Sequence, residues 1–313
     1  MADKIATRKA FGEELAKIGA REDIVVLDAD LSASTMTNIF KAKYPERHFN
    51  CGIAEGNMMA TAAGMASCGK KVFAASFAMF ATGRAFEQVR NSIGYPHLNV
   101  TVVGTHAGVT VGEDGATHQC LEDVALMRTI PGMCVLSPAD AVEAAAAVRT
   151  LAEYNGPSYL RLCRLPMPIL FDESAYGEFE IGKGRIMKDG SDVTIIAAGL
   201  LLHEAAKACE ALEAEGISVR LVDMASIKPI DKELIIESAK KTGAIVCAEE
   251  HNVIGGLGSA VCEVLCENCP TPVEIVGTRD VFGCSGKPDE LLDHYKMSAP
   301  HIAEAAKRVI KKK

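Results

Sequence analysis

The sequence predicts an α/β protein built as two open domains, and three observations carry that prediction. At 313 residues the chain exceeds what one small core organises and suits two domains. Short β-branched runs alternate with longer helical patterns through both halves, as in parallel strands joined by crossover helices. The strand candidates are nearly continuous apolar runs, as expected when both faces of a sheet are covered.

In the first half the strand candidates are "IVVLDAD", "KVFAASF", "NVTVVGT", "MCVLSP" and "SYLRLC". Helical patterns lie between them near 8–20, 54–67, 83–93, 121–129 and 141–154. The stretch from Leu165 to Asp192 carries two prolines and four glycines without helical period, and reads as a linker or surface excursion. Alternation resumes with "DVTIIAAG", "SVRLVDM", "AIVCAEE" and "VEIVGT", followed by helical patterns near 201–215, 231–242, 257–268 and 289–295. A last helix begins at "SAPHIAEAAKR", with Ser298 as N-cap and Pro300 in the first turn. The expected division is a parallel-sheet domain over 1–170, a linker over 171–189 and a smaller domain over 190–313.

Composition narrows the function. Apolar residues make up 49% and charged residues 24%, as in ordinary soluble proteins. Net charge is −8 and no basic run precedes the terminal Lys311–Lys313, which argues against a nucleic-acid partner. No stretch is oily enough to span a bilayer and the first residues lack a signal-like apolar core, so a cytoplasmic protein with no membrane partner is expected. The eleven cysteines then read as reduced and mostly buried. Cys262, Cys266 and Cys269 have a C-x3-C-x2-C spacing that some iron–sulfur sites share. A helix with Cys262 and Cys266 one turn apart on its buried face accounts for it better.

In open α/β sheets ligands gather beyond the carboxyl ends of the strands. That edge is expected to hold Asp28 and Asp30, Ser32 and Ser34, Thr105 and His106, the loop Glu113–Gln119, and Arg161 with Arg164. Caps and solvated turns explain any one of these residues singly; their shared placement is what marks a site. Glu55 is a separate case. A carboxylate in a first helical turn complements the helix dipole. Its flank of Met58, Met59, Ala60, Ala62, Ala63 and Met65 also allows a desolvated carboxyl of raised pKa that shares its proton with a nitrogen base. The glycines of "GEDG" and "IGGLGSA" match neither a P-loop nor a dinucleotide-binding turn. Metalloprotease, zinc-module and serine-hydrolase motifs are missing from the sequence.

"HFNCGIAEGNM", "KVFAASFAMF", "GTHAGVTVGEDGATHQ" and "PSYLRLCRLP", in that order and spacing, resemble the C-terminal half of transketolase. More closely, the chain resembles the C-terminal subunit of transketolases split into two polypeptides. It covers essentially the whole chain, as a pyrimidine-binding domain followed by the transketolase C-terminal domain. The resemblance implies an enzyme that uses thiamine diphosphate to move a two-carbon ketol unit from a ketose phosphate to an aldose phosphate. Under it Glu55 is catalytic, hydrogen-bonding N1′ of the cofactor's aminopyrimidine so that the C2 proton can be removed. Phe77 stacks on the pyrimidine and Phe80 lines the same pocket. Arg8, Ser34, His106 and Arg164 hold the sugar phosphate, and Asp30 and Asp114 read hydroxyls. His118 is catalytic, beside the reacting carbonyl. The sequence departs from the family pattern mildly, with Gly56 in place of a common glutamine and Gly83 in place of an aromatic.

The family's diphosphate and metal motif, a G-D-G followed downstream by an asparagine pair, has no counterpart in this chain. The resemblance therefore assigns no metal ligand here. It implies an N-terminal partner subunit holding the diphosphate and Mg²⁺ (or Ca²⁺), in an α2β2 assembly with sites at the interfaces. Two related readings are a 2-oxoacid dehydrogenase E1 β-like subunit and a deoxyxylulose-phosphate synthase-like chain; "GTHAGVTVGEDG" favours transketolase over both. A non-catalytic paralogue is a third alternative, against which the retained Glu55 and arginines stand.

Overall fold

The computed structural model of the chain describes residues 4–313. The first part runs β1 (Lys4–Ala6), α1 (Thr7–Ile18), β2 (Ile24–Asp28), α2 (Ser32–Thr35), α3 (Asn38–Lys43), β3 (His48–Asn50), α4 (Glu55–Ser67) and β4 (Lys71–Phe77). It continues with α5 (Phe86–Gln88), β5 (Val100–Thr105), α6 (Asp123–Arg128), β6 (Cys134–Leu136), α7 (Ala141–Glu153) and β7 (Ser158–Arg161). Then come β8 (Pro166–Pro168), α8 (Glu173–Tyr176), β9 (Arg185–Lys188), β10 (Val193–Ala197), α9 (Leu201–Ala214), β11 (Val219–Asp223) and β12 (Ser226–Lys228). The chain ends with α10 (Lys232–Thr242), β13 (Ile245–Asn252), α11 (Leu257–Asn268), β14 (Val273–Thr278), α12 (Pro288–His294) and α13 (Ala299–Ile310).

A seven-stranded sheet has the order β12-β6-β7-β5-β4-β2-β3, and a five-stranded sheet the order β14-β13-β10-β11-β9. Both are parallel except at one edge, where β12 and β9 pair antiparallel with their neighbours. Successive side chains of a strand face opposite sides, which sorts the core into two layers. In β4, Phe73 and Ala75 join the layer beneath α1 and α7, while Val72 and Ala74 join the layer beneath α4. In β10, Val193, Ile195 and Ala197 face the first layer, and Ile196 faces the second. Each layer thus runs continuously through both domains.

The structure differs from the sequence expectations at several places. The stretch expected as a linker is packed: β8 pairs with β1, β9 joins the second sheet, and Phe171, Tyr176 and Phe179 are buried. Its contacts are long-range, so neither period announces them. The helix expected near 83–93 is mostly two π-helical turns, Met79–Arg84 and Val89–Gly94, around the short α5. Ser298 precedes α13 but does not cap it through its hydroxyl, which meets Asp293 Oδ1 and His301 Nδ1. All eleven cysteines are free, yet only Cys120, Cys134, Cys163, Cys209 and Cys247 are buried. Cys266 is exposed and Cys262 half-buried, because Val261, Val264 and Leu265 take the core face of α11. No helix among the described residues is long and apolar enough to cross a membrane.

Candidate active site

Parallel register places the chemistry. Phe77 pairs with Thr105 and Gly104 pairs with Arg161, so β4, β5 and β7 end together, with β2 beside β4. Asp30, Phe77, His106 and Arg164 therefore follow strand ends along one sheet edge. Glu55 opens α4 on the same edge, after β3.

Two groups of side chains form there. The first is built on rings: Phe77 stacks on His106 with centroids 3.9 Å apart, and Phe80 meets the edge of His118 at 5.3 Å. Arg84 lies over the Phe80 ring at 4.5 Å and donates to Glu55 Oε2 at 2.9 Å. Glu55 is 2% exposed, so this carboxylate is buried and paired rather than set in oil alone. No sequence signal marks Arg84, which the π-helical turn Met79–Arg84 brings round to Glu55 on α4. A cavity of about 850 Å³ opens against Phe80, Gly83, Arg84, Thr117 and Gln119. Two of the departures from the family pattern are explained locally. A Cβ at Gly83 would meet Met79 Cε at 2.7 Å, and one at Gly56 would meet the Gln88 carboxamide at 3.3 Å.

The second group is cationic. Arg8, Lys9 and Arg164 line a cavity of about 530 Å³ together with Glu113. Arg8 donates to the carbonyl of Ser34, so Ser34 enters through its backbone, and Arg164 donates to the carbonyl of Val111. His106 sits between the groups at φ +56°, a conformation that non-glycine residues rarely adopt. Its Nδ1 lies 2.9 Å from Thr105 Oγ1. Burial first, then the charges of Arg8 and Arg164 and neighbouring His118, push its pKa down to about 3, so the ring is neutral at pH 7.

The remaining expected residues are less integrated. Asp30, also at positive φ, is bracketed by Asn50, whose Nδ2 donates to Asp30 Oδ1 at 3.1 Å. Asp114 is exposed and its side chain makes no hydrogen bond among the described residues. His118 meets Thr117 Oγ1 at 2.9 Å and faces the rings.

A flat, partly basic ring fits the first group: the Phe80 ring faces an open cavity, with Phe77 packed on His106 behind it and Arg84 linking it to the buried Glu55 carboxylate. An anionic group fits the second. Among the described residues no three His, Cys, Asp or Glu side chains converge to hold a metal ion.

Known proteins resemble this chain over nearly its whole length. Residues 3–168 match the family model of the transketolase pyrimidine-binding domain, and residues 182–302 match that of the transketolase C-terminal domain. A protein of Methanocaldococcus jannaschii, provisionally named a transketolase C-terminal section, is 50% identical over 97% of this chain and 96% of its own. A 6-deoxy-6-sulfo-D-fructose transketolase subunit of a Clostridium species (strain MSTE9) is 42% identical over 98% and 95%. A solved split-gene transketolase, described as an inactive beta4 tetramer, superposes with a TM-score of 0.91 at 52% identity, covering 98% of this chain and 99% of that one.

Proposed function

From its membership of the transketolase family, to which this chain belongs through both matched domains, we propose that it is the C-terminal half of a two-chain transketolase acting on sugar phosphates. The observation that carries the reading is Glu55, buried beside the ring cluster of Phe77, Phe80, His106 and His118. When bound, thiamine diphosphate supplies the nucleophile and electron sink for cleaving and forming carbon–carbon bonds. The residues of this chain do the rest.

Glu55 presents a carboxylate to the pyrimidine nitrogen and holds a proton there, with Arg84 fixing its orientation. Phe77 and Phe80 would offer flat apolar surfaces to the bound ring and exclude water from it. His106 is neutral and its Nδ1 is taken by Thr105, which leaves Nε2 for one hydrogen bond to the sugar. His118, next to Phe80, would meet the reacting carbonyl. Arg8 and Arg164 bind the anionic end of the sugar through charge-assisted bonds, with Ser34 holding Arg8 in place. Asp30 and Asp114 complete the set as readers of hydroxyls. The diphosphate and its Mg²⁺ (or Ca²⁺) belong to an N-terminal partner chain, in an α2β2 assembly. A related split-gene chain described as inactive as a beta4 tetramer fits a subunit that needs such a partner.

The Clostridium relative's name gives one specific alternative, a sulfonate in place of the phosphate at the cationic cavity. The test is reconstitution with a chain that carries the G-D-G and asparagine motif. Ketol transfer from xylulose 5-phosphate should require both chains, and full activity of either chain alone refutes the two-chain reading. A marked preference for 6-deoxy-6-sulfofructose over the phosphorylated donor decides for the alternative.

A further inference from the structure

Glu250 has no part in the site just described, yet it touches the loop that carries His106. It lies on β13 in the C-terminal domain and is 2% exposed. Its carboxylate crosses the domain boundary, where Oε1 accepts the Thr110 N–H at 2.6 Å. Gly108 has φ +84°, and a Cβ there would stand 2.2 Å from Glu250 Cδ, so the carboxyl lies directly against the loop backbone. Within the first domain the same loop is held by Gly108 N–H to Cys120 O at 3.0 Å and by Gln119 Nε2 to Val109 O at 3.0 Å. The strut itself is braced by Arg161, whose Nη2 donates to Glu250 O at 2.8 Å while its guanidinium grips Asp123.

We propose that Glu250 is a positioning residue of the ketol-transfer site, fixing the loop 106–112, and through it His106, from the C-terminal domain. The proposal rests on reading His106 as a site residue, but its physical content concerns the loop and is testable without turnover. Burial raises the Glu250 pKa to about 7 against the opposing charge of Arg161 and the Thr110 N–H. The charged and titratable groups facing it are Arg161, Asp123 and Cys163 from the first domain, while Glu249 and His251 flank it on its own strand and turn to the opposite face, toward Leu257 and Ala125. Opening of the loop returns this carboxyl to water and to its ordinary pKa, so opening releases a proton near neutrality. The closed loop is therefore favoured at lower pH, and opening should rise about tenfold between pH 6 and pH 8.

Amide hydrogen exchange on the full chain tests this, read on peptides covering 106–112 at pH 6 and 8 and corrected for the intrinsic pH dependence of exchange. The wild type should show the tenfold step. Glu250→Gln, which keeps an acceptor for Thr110 but cannot ionise, should protect the loop at both pH values without a step. Glu250→Ala should expose the loop at both, with α13 peptides unchanged. A flat wild-type profile, a wild-type step retained in Glu250→Gln, or normal loop protection in Glu250→Ala overturns the proposal. Should Glu250→Ala fail to fold, the step in the wild type against Glu250→Gln decides. Loss of ketol transfer in His106 variants is read separately and bears on the site reading alone.

Discussion

Glu55 and Arg84 act as one unit, since a buried carboxylate without a partner costs several kcal/mol. Glu55→Gln keeps the shape and an acceptor for Arg84 but removes the carboxylate that would share a proton with the pyrimidine nitrogen. It should lower ketol transfer about 10²–10⁴-fold in the reconstituted enzyme while leaving assembly unchanged by sedimentation; wild-type turnover would remove Glu55 from its role. His106 yields a prediction in pH. Its folded pKa, near 3, lies below the unfolded value of about 6.5. Between those values the unfolded chain takes up a proton that the folded chain refuses, so stability falls as pH drops through that window. His106→Asn should reduce the loss on moving from pH 7.5 to 5 by about 1–2 kcal/mol, measured by urea unfolding. An equal loss in wild type and variant would show that His106 is not held neutral. At this scale the sequence names candidate ionisable residues but not the groups they pair with. Arg84 looked like one arginine in a helical pattern until the π-helical turn aimed it, and Glu250 lay in a segment read only as a core strand.

Strand ends and loop entries carry the site, and small residues set how closely those elements approach. Gly104 on β5 is a clear case. A Cβ there would stand 2.3 Å from the Tyr159 hydroxyl, which donates to Asp123 Oδ2 at 2.6 Å. Both groups are buried, and Asp123 also holds Arg161 at 2.7 Å. Gly104→Ala should therefore destabilise the chain by about 1–3 kcal/mol through overpacking, visible as a lower urea midpoint. An unchanged midpoint would mean that Tyr159 moves without cost. Strands and helices were largely legible because their periods are local properties of the chain. The strands missed were β1, β3, β8, β9 and β12, which are three or four residues long and exist only because a distant strand offers a pairing edge, and the short helices α2, α3 and α8 were missed with them.

Across the whole molecule the two domains are more interlocked than two alternating halves imply. β12 follows the second domain's β11 but completes the edge of the first domain's sheet, beside β6. Lys228 at its end donates to the carbonyls of Arg128 and Ile130 at 2.7 and 2.6 Å. With both apolar layers continuous through the two sheets, neither half buries its core alone. Calorimetric unfolding should accordingly be a single transition; two separable transitions would refute the shared core. The same interlocking lets the C-terminal domain reach the site loops, through Glu250 at Thr110 and through the Cys284 carbonyl, which accepts from Gln119 Nε2 at 2.9 Å.

Apolar periodicity, turn residues and the order of a few motifs were enough to determine an α/β chain, its two domains and its family resemblance, because each is written in residues near one another. Which groups pair across the fold is decided by packing between segments far apart in sequence. Glu55 with Arg84, His106 against Phe77, Ser34 through its carbonyl, β12 in the other domain's sheet and Glu250 beneath the loop all belong to that second kind. Burial and proximity set their chemistry, and both arise only when the chain is closed on itself.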